Sequence, residues 1–390
     1  MAGETAHPTR TAIEAENGAA PAAPPHGLLP CQEIRALIRA GEIVAAEPID
    51  EAQIQPASLD LRLGGEAWRV RTSFLAGPGA TVEDRLAAFG MHRFDLDGGA
   101  VLEKGCVYVV PLLESLALGR ETSGIANPKS STGRLDVFTR LITDNSGVFD
   151  QIAAGYAGPM WAEISPRTFS ILVRRGTSVS QLRLRRGAAR PAETASRRPH
   201  ATIPPLDMDA VEQGIGAGTA ITVDLAPPAG LPAGWRARHH TGLIDLAEIA
   251  RYDPAEFWEP VFPDAFGCVV LNPGDFYILA SKEAVTVPPD HAAEMRPYDE
   301  RVGEFRVHYA GFFDPGFGLA SAGGEGSRAV LEIRSFEVPF ALRDGQFVGR
   351  LVYERLTAVP ERLYGSGIGS SYQRQGLQLA KQFRRPGGIG

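Results

Sequence analysis

Residues 129–163 read K-S-S-T-G-R-L-D-V-F-T-R-L-I-T-D-N-S-G-V-F-D-Q-I-A-A-G-Y-A-G-P-M-W-A-E, and two chemical demands meet on this one run. Its first six residues, Lys129 to Arg134, carry three hydroxyls, a glycine and two cations, the composition of a phosphate-binding turn. Hydroxyls and backbone N–H groups donate to phosphate oxygens, glycine lets the backbone approach, and arginine offers a planar two-pronged donor. The remainder alternates apolar and polar residues, turns through glycines, and places Glu163 between Trp161-Ala162 and Ile164. A carboxylate set in an apolar strand is a candidate general base. Taken singly, each feature is equally well a solvated turn and a polar-face glutamate, so the rest of the chain has to decide.

Working outward, the pattern stays β. Residues 55–64, Q-P-A-S-L-D-L-R-L-G, alternate with period two, and short runs bounded by Gly and Pro continue to about residue 186. Before them, residues 29–41 show apolar positions at helical spacing and a glycine stop, so one short helix is expected there. The first 27 residues are rich in Ala, Pro, Glu and Thr without an apolar segment and read as a tail. Residues 187–218 are Pro-, Ala- and Arg-rich and read as a linker.

After the linker the pattern starts again. Ile221-Thr222-Val223-Asp224-Leu225 echoes Ser58-Leu59-Asp60-Leu61, and Trp235-Arg236-Ala237-Arg238 echoes Trp68-Arg69-Val70-Arg71. An offset of 169 carries Val101-Leu102-Glu103-Lys104-Gly105 onto Val270-Leu271-Asn272-Pro273-Gly274, Glu163 onto Glu332, and Gly176 onto Gly345. A series held in register over this length means a duplicated β domain. The expected organisation is a tail (1–27), a first β domain (28–186), a linker (187–218), a second β domain (219–360) and a C-terminal tail (361–390).

The halves differ where chemistry would matter. Ser130 and Ser131 map onto Asp299 and Glu300, Arg134 onto Gly303, and Gln181 onto Arg350. Two carboxylates would repel a triphosphate, so only the first half keeps a phosphate turn, unless the alignment slips there and the two acids are a plain charged loop.

Composition narrows the classes. The 390 residues are 44% hydrophobic and 22% charged with a net charge of −7, so no global basic field recruits nucleic acid. No apolar run reaches membrane-spanning length. Three distant cysteines, Cys31, Cys106 and Cys268, fit reduced thiols in a cytoplasm, and neither they nor the histidines fall into a zinc-binding spacing.

With Gln55-Pro56-Ala57-Ser58-Leu59-Asp60-Leu61-Arg62, Lys129-Ser130-Ser131-x-x-Arg134 and Glu163 in hand, the sequence resembles the dCTP deaminases of the trimeric dUTPase superfamily. The second half adds Asp314-Pro315-Gly316-Phe317-Gly318 and Val330-Leu331-Glu332-Ile333, similar to that family's hairpin and catalytic strand. Tyr364-Gly365 and Tyr372-Gln373-Arg374-Gln375-Gly376 resemble its nucleotide-covering tail. The match is nearest to the long, duplicated bacterial form and covers roughly residues 29–381 without the linker.

The resemblance implies a mainly β protein: two tandem dUTPase-like distorted β-barrels, jelly-roll-like, with a few short helices and sites at contacts between barrels. It implies that Lys129, Ser130, Ser131 and Arg134 hold the triphosphate with Gln181 beside them, and that Asp314, Tyr364, Tyr372 and Gln375 also meet the nucleotide. Glu163 or Glu332 stands at the catalytic position. The two halves depart from the family in extra residues between Asp150 and Gly155 and in an insertion at 319–326, and two glutamates stand beside one phosphate turn, which leaves open which glutamate works.

The implied reaction is hydrolysis of dCTP to dUTP and ammonia, with a carboxylate shuttling protons and no metal held by the protein for catalysis. Mg²⁺ is expected as a companion of the triphosphate. Sites between barrels imply a homo-oligomer, a trimer of chains first, in the cytoplasm, with dCTP or dUTP as partner and neither nucleic acid nor membrane. Two alternatives stay open: a dUTPase or bifunctional enzyme releasing pyrophosphate, with Asp150 or Asp314 holding the water, and a nucleotide-binding protein without catalysis.

Overall fold

The computed structural model describes residues 26–187, 218–297, 305–308, 311–322, 326–365, 372 and 376–385. Each half is built around two main antiparallel sheets that enclose an apolar core. In the first half the long strand Ala157–Pro166 lies between Val107–Ala117 and Val137–Thr143, with Glu66–Val70, Gly90–Asp95 and Ile43–Ala45 completing the sheet. Facing it, Ser178–Arg186 pairs with Thr122–Pro128, Leu59–Arg62 and Gly27–Leu28. Inward positions such as Leu59, Leu61, Val110, Ile164 and Leu182 are fully buried, which is what the period-two alternation demands of half-buried strands.

The second half repeats this pairing. Phe276–Val285, Ser327–Ser335 and Phe305–His308 stand in the order of Val107–Ala117, Ala157–Pro166 and Val137–Thr143. Phe347–Arg355 and His291–Pro297 pair as Ser178–Arg186 and Thr122–Pro128 do. Register confirms the offset at the glutamates: Glu163 opposes Val109, and Glu332 opposes Ile278. The first strand of the second half corrects one sequence echo. Asp60 opposes Gln181, while Ala220, not Asp224, opposes Arg350. The local text Val223-Asp224-Leu225 had matched four residues too late, because a short alternating run carries little register information.

The helix expected at 29–41 is found at Cys31–Arg39, burying Cys31, Ile34 and Leu37. A second helix, Val82–Phe89, lies inside the stretch read as continuous strands. Its signal was present: Thr81 and Asp84 form a capping box, the side chains of each satisfying the other's backbone N–H. The chain is already in a strand at Gly27, the last residue assigned to the N-terminal tail.

The halves are tied together. Ile244–Asp245 joins Ile171–Val173 as a parallel strand, and Arg174 grips Asp245 with two hydrogen bonds of 2.7 and 2.8 Å. Arg185 pairs with Glu354, and Arg183 reaches Ala293 O, Phe313 O and Asp314. These contacts set residues 129–134 of one half against the strand of Glu332 in the other. Residues 299, 300 and 303, where the second half was expected to have lost its turn, lie outside the described residues, as does Gln375.

Candidate active site

The turn itself is a single helical turn, Ser130–Gly133, entered from the extended Lys129. Thr132 and Gly133 donate their N–H groups to Lys129 O, and Arg134 donates to Ser130 O. The first turn of a helix leaves its leading N–H groups without intrahelical acceptors, so Ser130 and Ser131 present backbone donors together with their hydroxyls. Gln181 lies beside them, accepting from Ser58 Oγ at 3.3 Å, and the adjacent strand residue Val179 accepts from Lys129 N.

Across from the turn stands Glu332, only 6% exposed. A Cβ built on Gly133 would lie 2.7 Å from Glu332 Oε2 and 3.0 Å from Oε1. Only glycine lets the carboxylate come this close. Burial pushes the Glu332 carboxyl well above the ordinary carboxylate range; the Arg134 guanidinium opposes the shift, and the nearby Asp136 carboxylate adds to it.

Glu163, its counterpart in the first half, has a different environment. Arg140 donates to Oε1 from Nη2 at 2.8 Å and from Nε at 3.2 Å, and also reaches Ser73 Oγ. The same guanidinium lies 3.6 Å from the Phe149 ring centre and 4.6 Å from that of Phe138. Within the chain, Glu163 is therefore held in an ion pair sealed by aromatic rings, away from residues 129–134.

Two further carboxylates border the turn, both already matched to cations. Lys129 pairs with Asp60, and Arg183 donates to Asp314 Oδ1 at 3.0 Å with both side chains buried. Asp314 thus lies near Lys129 and in a pair with Arg183, its pKa raised by burial and drawn back by Arg183. Asp150, the other aspartate in view, belongs to the first half, where Leu141 N donates to it at 2.7 Å; burial pushes its pKa up to about 7.

The C-terminal segment closes the top. The Arg134 guanidinium carbon stacks 3.7 Å from the Tyr372 ring centre, and Nη1 donates to Gln378 O at 2.9 Å. Tyr364 packs on Phe317, with its N–H on Pro315 O. Lys381 donates its N–H to the Tyr372 hydroxyl at 3.3 Å, and its half-buried ammonium faces Lys129 and Asp60. Farther on, Phe383 packs edge-on against Phe257 and Trp258 and at a tilt against Tyr252. Sequence reasoning had quoted Asp60 without a role, had read Gly133 only as a point of backbone approach, and had missed Arg183 and Phe383. Asp60 fell on the alternation of a strand, and the others gain meaning only from the partner half.

The fold and site define a double β-barrel protein in which the turn Ser130–Gly133 of one barrel meets the buried Glu332 carboxylate of the other. Two family models cover the chain: the 2'-deoxycytidine 5'-triphosphate deaminase N-terminal domain over residues 25–188 and its C-terminal domain over residues 161–383. The chain belongs to the dCTP deaminase family, enzymes of the hydrolase class. A solved structure of 2'-deoxycytidine 5'-triphosphate deaminase from Agrobacterium tumefaciens matches with a TM-score of 0.76 and 52% identity, covering 85% of this chain and 99% of that one. Curated relatives named dCTP deaminase, dUMP-forming, match shorter stretches. The protein from Beutenbergia cavernae is 35% identical over 141 residues, 35% of this chain and 67% of its own. That from Halobacterium salinarum is 35% identical over 119 residues, 30% of this chain and 56% of its own.

Proposed function

We propose that the chain deaminates dCTP at C4 of the cytosine, releasing ammonia and dUTP, with Glu332 as the proton shuttle. The observation that carries the assignment is the approach of the Glu332 carboxylate to Gly133, inside the turn that would hold the triphosphate. Glu332 takes a proton from the attacking water as its oxygen bonds to C4 and delivers a proton to N3. The tetrahedral intermediate then collapses as the C4–N4 bond breaks and the amino group leaves as ammonia with the second water proton. A carboxyl group whose pKa is raised by burial is suited to both taking and giving protons.

Ser130, Ser131, Arg134 and Lys129 would bind the phosphates, with Gln181 supporting the turn. Arg134 would draw Tyr372 over the nucleotide through their stacked contact, and Tyr364 would brace the Pro315-Gly316-Phe317 hairpin beneath it. Closure of this kind excludes water and fixes the reacting geometry. The donors of the turn suit phosphate oxygens rather than a cation, and Asp60 and Asp314 are matched to Lys129 and Arg183. Mg²⁺ would therefore travel on the triphosphate, held by phosphate and water. Turn and Glu332 come from one chain, so assembly into a trimer would add to a site already begun within the chain.

A second reading, release of dUMP and pyrophosphate, is favoured by the names of the curated relatives. The test is product analysis from dCTP and dUTP with Mg²⁺. Ammonia with dUTP supports the first reading. Ammonia with dUMP and pyrophosphate moves the assignment to the second, and nucleotide binding without ammonia overturns both.

A further inference from the structure

Between the turn and the strand of Glu332 lies a buried ion pair that the deamination chemistry does not itself require. Asp136 is fully buried and adopts φ 56°, a left-handed conformation uncommon for a side-chain-bearing residue. Its backbone N–H bonds to Gly133 O at 2.8 Å, which closes the phosphate turn, and its own O accepts from Arg167 N at 2.9 Å. Its carboxylate Oδ2 accepts from Arg334 Nη2 at 2.5 Å and Nε at 3.0 Å, and from Thr168 Oγ1 at 2.5 Å. Arg334 also donates to Thr168 Oγ1 at 2.9 Å and to Gly274 O at 2.7 Å.

Arg334 lies two residues beyond Glu332 on the strand Ser327–Ser335, and residues two apart on a strand point to the same face. The pair therefore joins the residue that closes the turn to the strand that carries the glutamate. We propose that Asp136 and Arg334 are positioning residues that hold the Glu332 carboxylate against Gly133 and set its charge balance. The inference rests on the reading of Glu332 as the proton shuttle.

The two members act on Glu332 in opposite senses. The Asp136 charge disfavours a charged Glu332, and Arg334, while bound to Asp136, masks that charge. Arg134 from the turn and Tyr372 from the tail also face Glu332, and His308 is its register partner on the strand Phe305–His308. A pair that only fastened the halves together would, when broken from either side, lower stability without moving the acid limb of the pH profile in a defined direction.

The experiment measures kcat/KM for dCTP against pH in the full-length chain for wild type, Asp136→Asn and Arg334→Met, with Glu332→Gln as the inactive reference. Asp136→Asn removes the like charge and frees Arg334, and the acid limb should move to lower pH by about one unit. Arg334→Met leaves the Asp136 charge unmasked, and the limb should move to higher pH. Thermal unfolding of each variant identifies any that fails to fold, and the other member of the pair then carries the test. Limbs that stay in place, or move together, overturn the inference while Glu332→Gln remains inactive. A Glu332→Gln variant that still releases ammonia overturns the assignment of Glu332 first, and this inference with it.

Discussion

Gly133 and Glu332, 199 positions apart in sequence and on different barrels, touch so closely that a methyl group on the glycine would lie 2.7 Å from the carboxylate. Gly133→Ala should therefore displace the carboxylate rather than unfold the chain, because the glycine itself adopts an ordinary helical conformation. A misplacement of about 1 Å in a reacting group costs on the order of 100-fold in turnover. Steady-state ammonia release with a parallel thermal melt checks it: kcat should fall steeply while the melting temperature changes little.

The raised pKa of Glu332 carries a cost in stability with a definite sign. A carboxyl whose folded pKa lies above its unfolded value contributes stability below the unfolded value and loses it as pH rises through the folded one. Glu332→Gln removes that dependence. The variant should be inactive yet melt higher than wild type at pH 8, with the difference shrinking toward pH 4. Scanning calorimetry across this range reads it directly.

Asp150 follows the same rule away from the site. Burial lifts its pKa to about 7, so wild-type stability should decline as pH rises through about 7. Asparagine at this position keeps an acceptor for Leu141 N without the charge. Asp150→Asn should flatten the decline and leave ammonia release intact, as measured by urea unfolding at pH 6 and pH 8.

Phe383 fastens the tail by filling an aromatic pocket among Tyr252, Phe257 and Trp258. Phe383→Ala empties it. In a core such a truncation costs about 3 to 5 kcal/mol, and here the loss should fall on tail docking. Limited proteolysis should cut the C-terminal segment sooner, and kcat/KM for dCTP should drop by about tenfold or more.

How far the sequence reveals this protein depends on which contacts are local. The strands of both barrels follow from period-two alternation, and the 169-residue offset is visible because Val101-Leu102 and Val270-Leu271, Glu163 and Glu332, and Gly176 and Gly345 keep step. The helix Val82–Phe89 escaped because its capping box sits inside a run of strand-like punctuation. The turn at 129–134 was legible from composition. Which glutamate faces it was not, since Glu163 and Glu332 occupy equivalent strand positions and differ only through partners. One has Arg140 from its neighbouring strand; the other has Gly133 from the opposite barrel. Asp60, Arg183 and Phe383 were obscure for the same reason: each acquires its role from a residue more than 60 positions away.

The central claim is that Glu332, not Glu163, performs the proton transfers. The most direct test compares ammonia release from dCTP by Glu332→Gln and Glu163→Gln under saturating substrate. Glu332→Gln should lose essentially all turnover. Glu163→Gln should keep it and lose stability, about 2 kcal/mol, from weakening the pair with Arg140. Abolition of ammonia release by Glu163→Gln in a folded protein, with Glu332→Gln still active, would contradict it.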